Sequence, residues 1–426
     1  MRIKTFIAVI FLFFFIFGPN IDALPLSTAR IVWFLMLFII IIQIFKATKI
    51  SFTISRKILI VSFSLIVLSL VAFGFNIVHN TTDYTIRNVF IGILIESLFG
   101  SVMYYWIFLR GKPLIYIFKL LVFVALLQAV FIFLMLFIAP LREFIFSLTQ
   151  STANEVFARY GGFRGLGFAH STTYDLAMFM SITMMFISYF IIYPQTLQNT
   201  TRKSICISCW VFIWIILFAA VLMTGRSGLL GIFLSILLLL FGFKKYSTLK
   251  GIFYFSLFFI ILGTTMHFIF SGNPVYERIF KFAFELFINF FQNGEFRTGS
   301  SDVLLNKMYF YPGDKTFLFG DGYWVDPTGV GYYMHTDAGF MRHILFYGIF
   351  SSVLFYLLYM YIFKNIFSLA YKNNILKILF ISILIIFVAG HFKGSFLNAS
   401  AMNIKLLMIL FVYSIFYKSS KQRFLK

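Results

Sequence analysis

Apolar runs long enough to cross a lipid bilayer recur along almost the whole of this chain, and that repetition leaves little choice of fold. A membrane-spanning helix uses about 20 apolar residues, because backbone N–H and C=O groups in lipid must be satisfied within the segment. Runs bounded by polar residues occur at 4–20, 29–45, 58–78, 89–109, 114–139, 174–193, 205–223, 228–243, 251–270, 343–363, 378–392 and 403–417. Twelve spans would use about 240 residues, a little over half of the 426 present, in a chain that is 61% hydrophobic. Only 12% of residues are charged, against about a quarter in a soluble domain. That excludes a soluble enzyme and, with the apolar content, a disordered chain. The runs are continuous rather than alternating, which argues against a transmembrane β-barrel. The expected fold is an all-α polytopic membrane protein of about twelve transmembrane helices.

The net charge of +21 would suggest nucleic acid in a soluble protein. Here it sorts by topology instead, and no nucleic-acid partner is expected. One set of helix ends and connections holds twenty basic residues and no carboxylate, from Arg2 and Lys4 through Lys244, Lys245 and Lys250 to Lys426. The alternate set holds thirteen of the fourteen carboxylates and all six histidines; the fourteenth carboxylate, Glu96, lies inside helix four. The positive-inside rule makes the first set cytoplasmic, with both termini inside and any chemistry outside. The first run starts like a signal peptide but ends in the turn Gly18-Pro19-Asn20 without a nearby cleavage site, so an uncleaved anchor helix is expected. Cys206 and Cys209 lie three apart near the inner end of helix seven. No second ligand pair accompanies them, and they are read as small residues facing lipid or neighbouring helices.

The chain divides into 1–139 with helices one to five, an outer loop 140–173, 174–270 with helices six to nine, a large outer loop 271–342, and 343–426 with helices ten to twelve and an inner tail. A loop of about 70 residues is functional more often than not. Within it Tyr276, Ile279, Phe280, Ala283, Phe284, Phe287 and Ile288 recur at helical spacing, predicting an amphipathic surface helix. Ser301 to Phe310 suggests a second short helix. Pro312-Gly313-Asp314, Gly320-Asp321-Gly322, Asp326-Pro327 and Gly329 read as successive turns carrying Tyr323, Trp324, Tyr332 and Tyr333. Such aromatics suit either sugar rings or the membrane interface.

Arginines carry the candidate chemistry. Arg159 and Arg164 stand in the glycine-rich stretch Arg159-Tyr-Gly-Gly-Phe-Arg164-Gly-Leu-Gly-Phe-Ala-His170. Glycine lets a backbone approach a ligand, and guanidinium forks match phosphate oxygens, so this stretch suggests a diphosphate site. Arg226, in the tight turn Thr224-Gly225-Arg226-Ser227-Gly228, must lie at or below the outer surface, where a charge is paired, snorkelling or functional. Glu96 lies about 10 Å inside helix four by the helical rise, so it is either protonated or paired, with Arg226 a candidate partner. Arg297 adds a further cation. His335 and Asp337, in His335-Thr-Asp337-Ala-Gly-Phe-Met-Arg342-His343, could act as a base or orient a hydroxyl, while His343 reads as structural. There is no metal-binding motif or P-loop, and no metal or other cofactor is expected.

The order Arg164 with Gly167, Arg226 with Ser227, Arg297, Gly320 with Gly322, His335 with Asp337, and Gly348 in helix ten resembles the Wzy-type O-antigen polymerases and the related O-antigen ligases. The likeness covers roughly 155–365; the first five helices match only as hydrophobic spans. It implies a GT-C-like, metal-independent glycosyltransferase of the bacterial inner membrane, acting on undecaprenyl-diphosphate-linked oligosaccharides at the periplasmic face. Arg164, Arg226 and Arg297 would neutralise the diphosphate, and His335 would assist the acceptor hydroxyl or leaving phosphate. A chain-length regulator and a flippase would be its partners. The acidic Asp337, where ligases more often carry an Asn-containing motif, favours polymerase over ligase. A lipid-linked oligosaccharide flippase is the alternative from another class, and it should show repeated halves, which this sequence does not display.

Overall fold

A computed structural model of the chain describes residues 3–46, 55–149, 165–169, 173–193, 203–242, 272, 274–295, 297–371 and 373–423. It is all-α: the only β pairing among these residues is two isolated bridges, Ile21 with Thr149 and Val325 with Tyr332. The apolar helices are α1 (Ile3–Phe17), α2 (Thr28–Lys46), α3 (Arg56–Val78), α4 (Thr85–Leu109) and α5 (Leu114–Phe137). They continue with α7 (Thr173–Ile192), α8 (Lys203–Thr224), α9 (Leu229–Gly242), α13 (Gly339–Phe367), α14 (Asn374–Lys393) and α16 (Ala401–Arg423). Between them lie the short α6 (Ala139–Leu148), α10 (Pro274–Asn293), α11 (Gly299–Val303), α12 (Asp314–Phe319) and α15 (Phe396–Ala399). Among the described residues eight helices are long and apolar enough to span a membrane, and α1, α9 and the apolar part of α16 are shorter apolar helices. The predicted span 251–270 lies outside the described residues.

The bundle is built around α7, which is buried along nearly its whole length and packs on α5, α8, α9, α14 and α16. Its polar side chains find partners inside the protein: Ser188 and Trp214 both meet the Ser235 hydroxyl, at 2.7 and 2.9 Å. By contrast α2 and α3 turn Phe34, Phe38, Phe63 and Leu70 outward. Apolar surface on that scale is what a lipid environment covers.

Helix ends alternate along the chain. At one end the Lys405 ammonium donates to the Phe15 carbonyl at 2.8 Å, and the Asn403 amide donates to that of Asp175 at 2.9 Å. At the other end Lys57 reaches the Asn365 side chain at 2.6 Å, and the Tyr413 hydroxyl reaches the Lys112 carbonyl at 2.9 Å. The first of these ends carries the long loop.

That loop is anchored by a break in α13. Gly348 adopts φ 69° in mid-helix, a conformation glycine alone takes without strain. The freed carbonyls of Leu345 and Phe346 accept hydrogen bonds from the backbone N–H groups of Asp321 (2.7 Å) and Gly322 (3.2 Å). Gly320, also in the left-handed region, leaves no room for a Cβ against the Phe346 carbonyl. The Asp83 carboxylate then accepts from the Trp324 and Val325 N–H groups at 2.5 and 2.7 Å. Arg342 completes the attachment. It is buried between the Trp324 and Tyr332 rings, 4.0 and 4.2 Å from their centroids, and donates to the Trp324 carbonyl at 2.8 Å.

The amphipathic helix predicted over 276–288 is α10, extended by a turn. The helix predicted over Ser301–Phe310 is α11 continued by a π-helical turn to Met308. Replacing Gly320 by Ala should cost about 2 kcal/mol or more, since it adds left-handed strain to a backbone collision. Limited proteolysis of the purified protein should show faster cleavage between residues 311 and 335, and unchanged protection there would refute the anchoring.

Candidate functional site

The chemistry-bearing residues gather where α7, α8, α13 and α14 end beneath the long loop. Tyr174, in the first turn of α7, is the hinge of the group. Its hydroxyl donates to the Gly390 carbonyl of α14, and the Lys393 ammonium lies 5.7 Å from its ring centroid. The Tyr174 backbone carbonyl accepts from the Ser227 hydroxyl at 3.3 Å. The Thr-Gly-Arg-Ser-Gly turn, the end of α14 and the start of α7 are thus tied together.

On one side of Tyr174, Arg226 pairs with Glu285 of α10. The other oxygen of that carboxylate accepts from the Gly299 N–H at 2.9 Å, so one glutamate links the turn to the loop's two helices. Arg297 follows close by. Its carbonyl accepts from Asn289 of α10 at 2.8 Å, and its guanidinium stands exposed, 4.0 Å from Glu295. A capping box at Thr298 and Ser301 starts α11 beside it.

On the other side lies Asp337, just before α13. Its carboxyl is half-buried, and its Oδ1 is out of contact with solvent and without a hydrogen-bond partner. Burial pushes its pKa above the ordinary carboxylate range, although Lys393 and Arg342 pull the other way. Tyr309 borders it and feels its charge. This tyrosine stacks on Phe392 at 4.6 Å and donates its hydroxyl to the Phe392 carbonyl at 2.6 Å.

The structure therefore brings Arg226, Arg297 and Asp337 to one end of the bundle, through Glu285 and Tyr174. Arg159 and Arg164 lie outside the described residues. The segment 165–169 that follows them is fixed: the Gly165 N–H donates to the Met223 carbonyl at 3.0 Å, and Gln128 holds Leu166 and Phe168 at 3.0 and 3.3 Å.

His335 does not join Asp337. Met334 and His335 both take left-handed conformations, which turns the imidazole outward, where Asp326 feels its charge. Glu96 is a correction. It does not pair with Arg226 but with Arg30 of α2, Nε to Oε1 at 2.7 Å. The first turns of α4 rise past the start of α2, so Glu96 stands level with the α1–α2 turn. His343 is fully buried, stacked 4.1 Å from Phe355, in keeping with a structural role.

Lys393, Arg342 and Tyr174 went unassigned in the sequence. Lys393 and Arg342 carried a usable signal: they are cations at span ends on the side that the positive-inside rule depletes. Among the described residues no three His, Cys, Asp or Glu side chains converge closely enough to hold a metal ion.

No protein-family model, no curated protein and no solved structure matches this chain.

The Arg226–Glu285 pair should show its worth in a double-mutant cycle. Arg226→Gln and Glu285→Gln, alone and together, should give a coupling of about 1 kcal/mol or more in thermal stability. Simple additivity would mean that the two charges do not support one another.

Proposed function

We propose that this chain is a polymerase of lipid-linked oligosaccharides, of the O-antigen polymerase type, working at the outer face of a bacterial inner membrane. The observation that carries the reading is the meeting, at the loop-bearing end, of a paired arginine on a tight turn with a half-buried carboxyl and a lysine. Glycosyl transfer from a lipid diphosphate asks for these two kinds of group: fixed cations for the leaving group and a base for the acceptor.

In the reaction, the acceptor sugar's hydroxyl oxygen attacks the anomeric carbon of the growing chain. The bond from that carbon to the diphosphate oxygen breaks, and the electron pair leaves with the undecaprenyl diphosphate. Asp337 takes the hydroxyl proton. Its raised pKa makes it a stronger base than an exposed aspartate. Arg226 neutralises the leaving diphosphate, the main electrostatic demand of the step. Glu285 balances Arg226 in the structure, and a diphosphate, which bears more charge, would take over the guanidinium. Arg297 and Arg164 are assigned to the same anion by the resemblance described above, and Arg159 by its place in the glycine-rich stretch with Arg164. His335, on the outward turn, suits contact with the acceptor sugar better than the proton transfer itself. The long loop, anchored through Gly320, Asp83 and Arg342, would hold both lipid-linked substrates in line.

A lipopolysaccharide gel from a strain lacking the gene tests the reading. Core bearing a single repeat, with the ladder gone, is the expected result. Bare core would instead indicate a ligase, and an unchanged ladder would point to a transporter. Arg226→Ala should lower polymer formation by about 10²-fold or more with the protein still present in the membrane.

The pH dependence follows from Asp337. A base works only when ionised, so activity should rise with pH through a pKa lying above the ordinary carboxylate range. Asp337→Asn should remove that limb and about 10²–10⁴-fold of the rate, read with purified protein and lipid-linked repeats. The same shift acts oppositely on stability: folding favours the protonated form, so this stabilisation is lost as pH rises through the folded-state pKa.

A further inference from the structure

A second polar site lies on the α1–α2 turn and α4, in a part of the chain that the proposed glycosyl transfer does not use. The α1–α2 turn and the middle of α4 enclose an open cavity of about 660 Å³, within the range of ligand sites. Its polar lining is Asn20, Asp22, Ser27, Arg30 and Glu96. The Arg30 Nε is committed to Glu96. Its two terminal nitrogens carry no protein hydrogen bond among the described residues, and the side chain is 56% exposed. Asp22 is exposed on the turn, whose backbone is fixed by the Asp22 N–H on the Leu148 carbonyl at 2.9 Å. Behind Glu96, Lys405 is buried within electrostatic reach of both Glu96 and Arg30. The inner wall is therefore the positive one, and the rim bears a carboxylate.

The surface below the cavity is apolar. Phe34 and Phe38 follow Arg30 at four and eight residues along α2, on the same helix face, and both are exposed. Ile95 and Phe99 flank Glu96 on α4 and are exposed too. The Trp33 indole donates to the Ile95 carbonyl at 2.9 Å, fixing the two helices side by side. Glu96 and Ile95 both lie in a π-helical stretch, Ile93–Phe99, a departure from regular helix that is frequent at functional sites.

From this arrangement we infer that the cavity is a headgroup site for a zwitterionic phospholipid of the phosphoethanolamine type, its acyl chains lying along the Phe34–Phe38 row. The phosphate takes the free guanidinium nitrogens of Arg30, and the ammonium takes Asp22 at the rim. A purely anionic headgroup, or a lipid diphosphate, would face two carboxylates with no cation of its own to offer them. A free sugar would leave the apolar row uncovered.

The test uses the full chain purified in detergent and offered phosphatidylethanolamine, phosphatidylglycerol and undecaprenyl phosphate in equal amounts. Retained lipid is read by native mass spectrometry. Phosphatidylethanolamine should be retained in preference to both other lipids. Arg30→Gln and Asp22→Asn should each weaken that retention about tenfold, the loss of one charge-assisted contact. Asp22 is exposed on a turn, so its variant tests the site even where Arg30→Gln destabilises the protein. Equal retention of phosphatidylethanolamine and phosphatidylglycerol would overturn the inference, as would indifference to both substitutions. Preferential retention of undecaprenyl phosphate, lost in Arg30→Gln, would overturn it in favour of a substrate site. No readout here depends on sugar transfer, so the site and the polymerase reading stand or fall separately.

Discussion

The carbonyls of Leu345 and Phe346 lose their helical partners where α13 turns through Gly348, and backbone groups left unpaired away from water are costly. The N–H groups of Asp321 and Gly322 meet that demand, which ties the middle of a long loop to a fixed height on a membrane helix. The rest of the loop-bearing end depends on this join. Asp83 can reach Trp324 and Val325 only because Gly322 is already seated against α3. Arg342 can lie between Trp324 and Tyr332 only because those rings are delivered there. Asp337, just before α13, then lies half-buried and within electrostatic reach of Lys393.

Charge near the membrane is handled differently at the two ends. At the basic end, lysines and arginines occur without carboxylates and act as anchors. At the loop-bearing end, the cations at span ends have defined contacts. Arg30 has Glu96, Arg226 has Glu285, Arg342 has two aromatic faces and carbonyl or hydroxyl acceptors, and Lys405 has the Phe15 carbonyl and ring. The Arg30, Arg226 and Lys405 contacts, and that of Arg342 with Ser395, join segments far apart in sequence, so these charges help fix which helices are neighbours as well as where the surface lies.

Apolarity and turn chemistry carry across any context, and what depended on them could be read in advance. The eight long apolar helices among the described residues, the amphipathic α10 and the turns at Pro312-Gly313, Gly320-Asp321-Gly322 and Asp326 to Gly329 are of this kind. Helix starts were harder to read. Gly339 opens α13 because it packs against the backbone of His391 and Gly394, and glycine in a sequence signals a turn more readily than a helix start. Pairing was harder still. The rise per residue puts Glu96 at a depth where Arg226 is a candidate partner, but it says nothing of which helix stands beside it, and the neighbour is α2 with Arg30. His335 and Asp337 are two residues apart, yet face different ways because Met334 and His335 take a left-handed turn that neither residue type advertises. The grouping of Arg226, Arg297 and Asp337 at one end was legible from topology alone, but Tyr174, which ties the pieces together, carried no signal beyond being aromatic near an interface.

The near-complete burial of α7 bears on how the protein is made. Its Ser188 hydroxyl meets Ser235 of α9, its Tyr174 hydroxyl meets the Gly390 carbonyl of α14, and it packs along α8, all of which follow it in the chain. As synthesis proceeds, α7 leaves the ribosome before these later neighbours exist. Its first shelter is α5, with α1 earlier in the chain setting the wall that α5 packs on. The N-terminal helices thereby acquire a role as an assembly platform. They give the most deeply buried helix a protein surface to rest on until its later neighbours close around it.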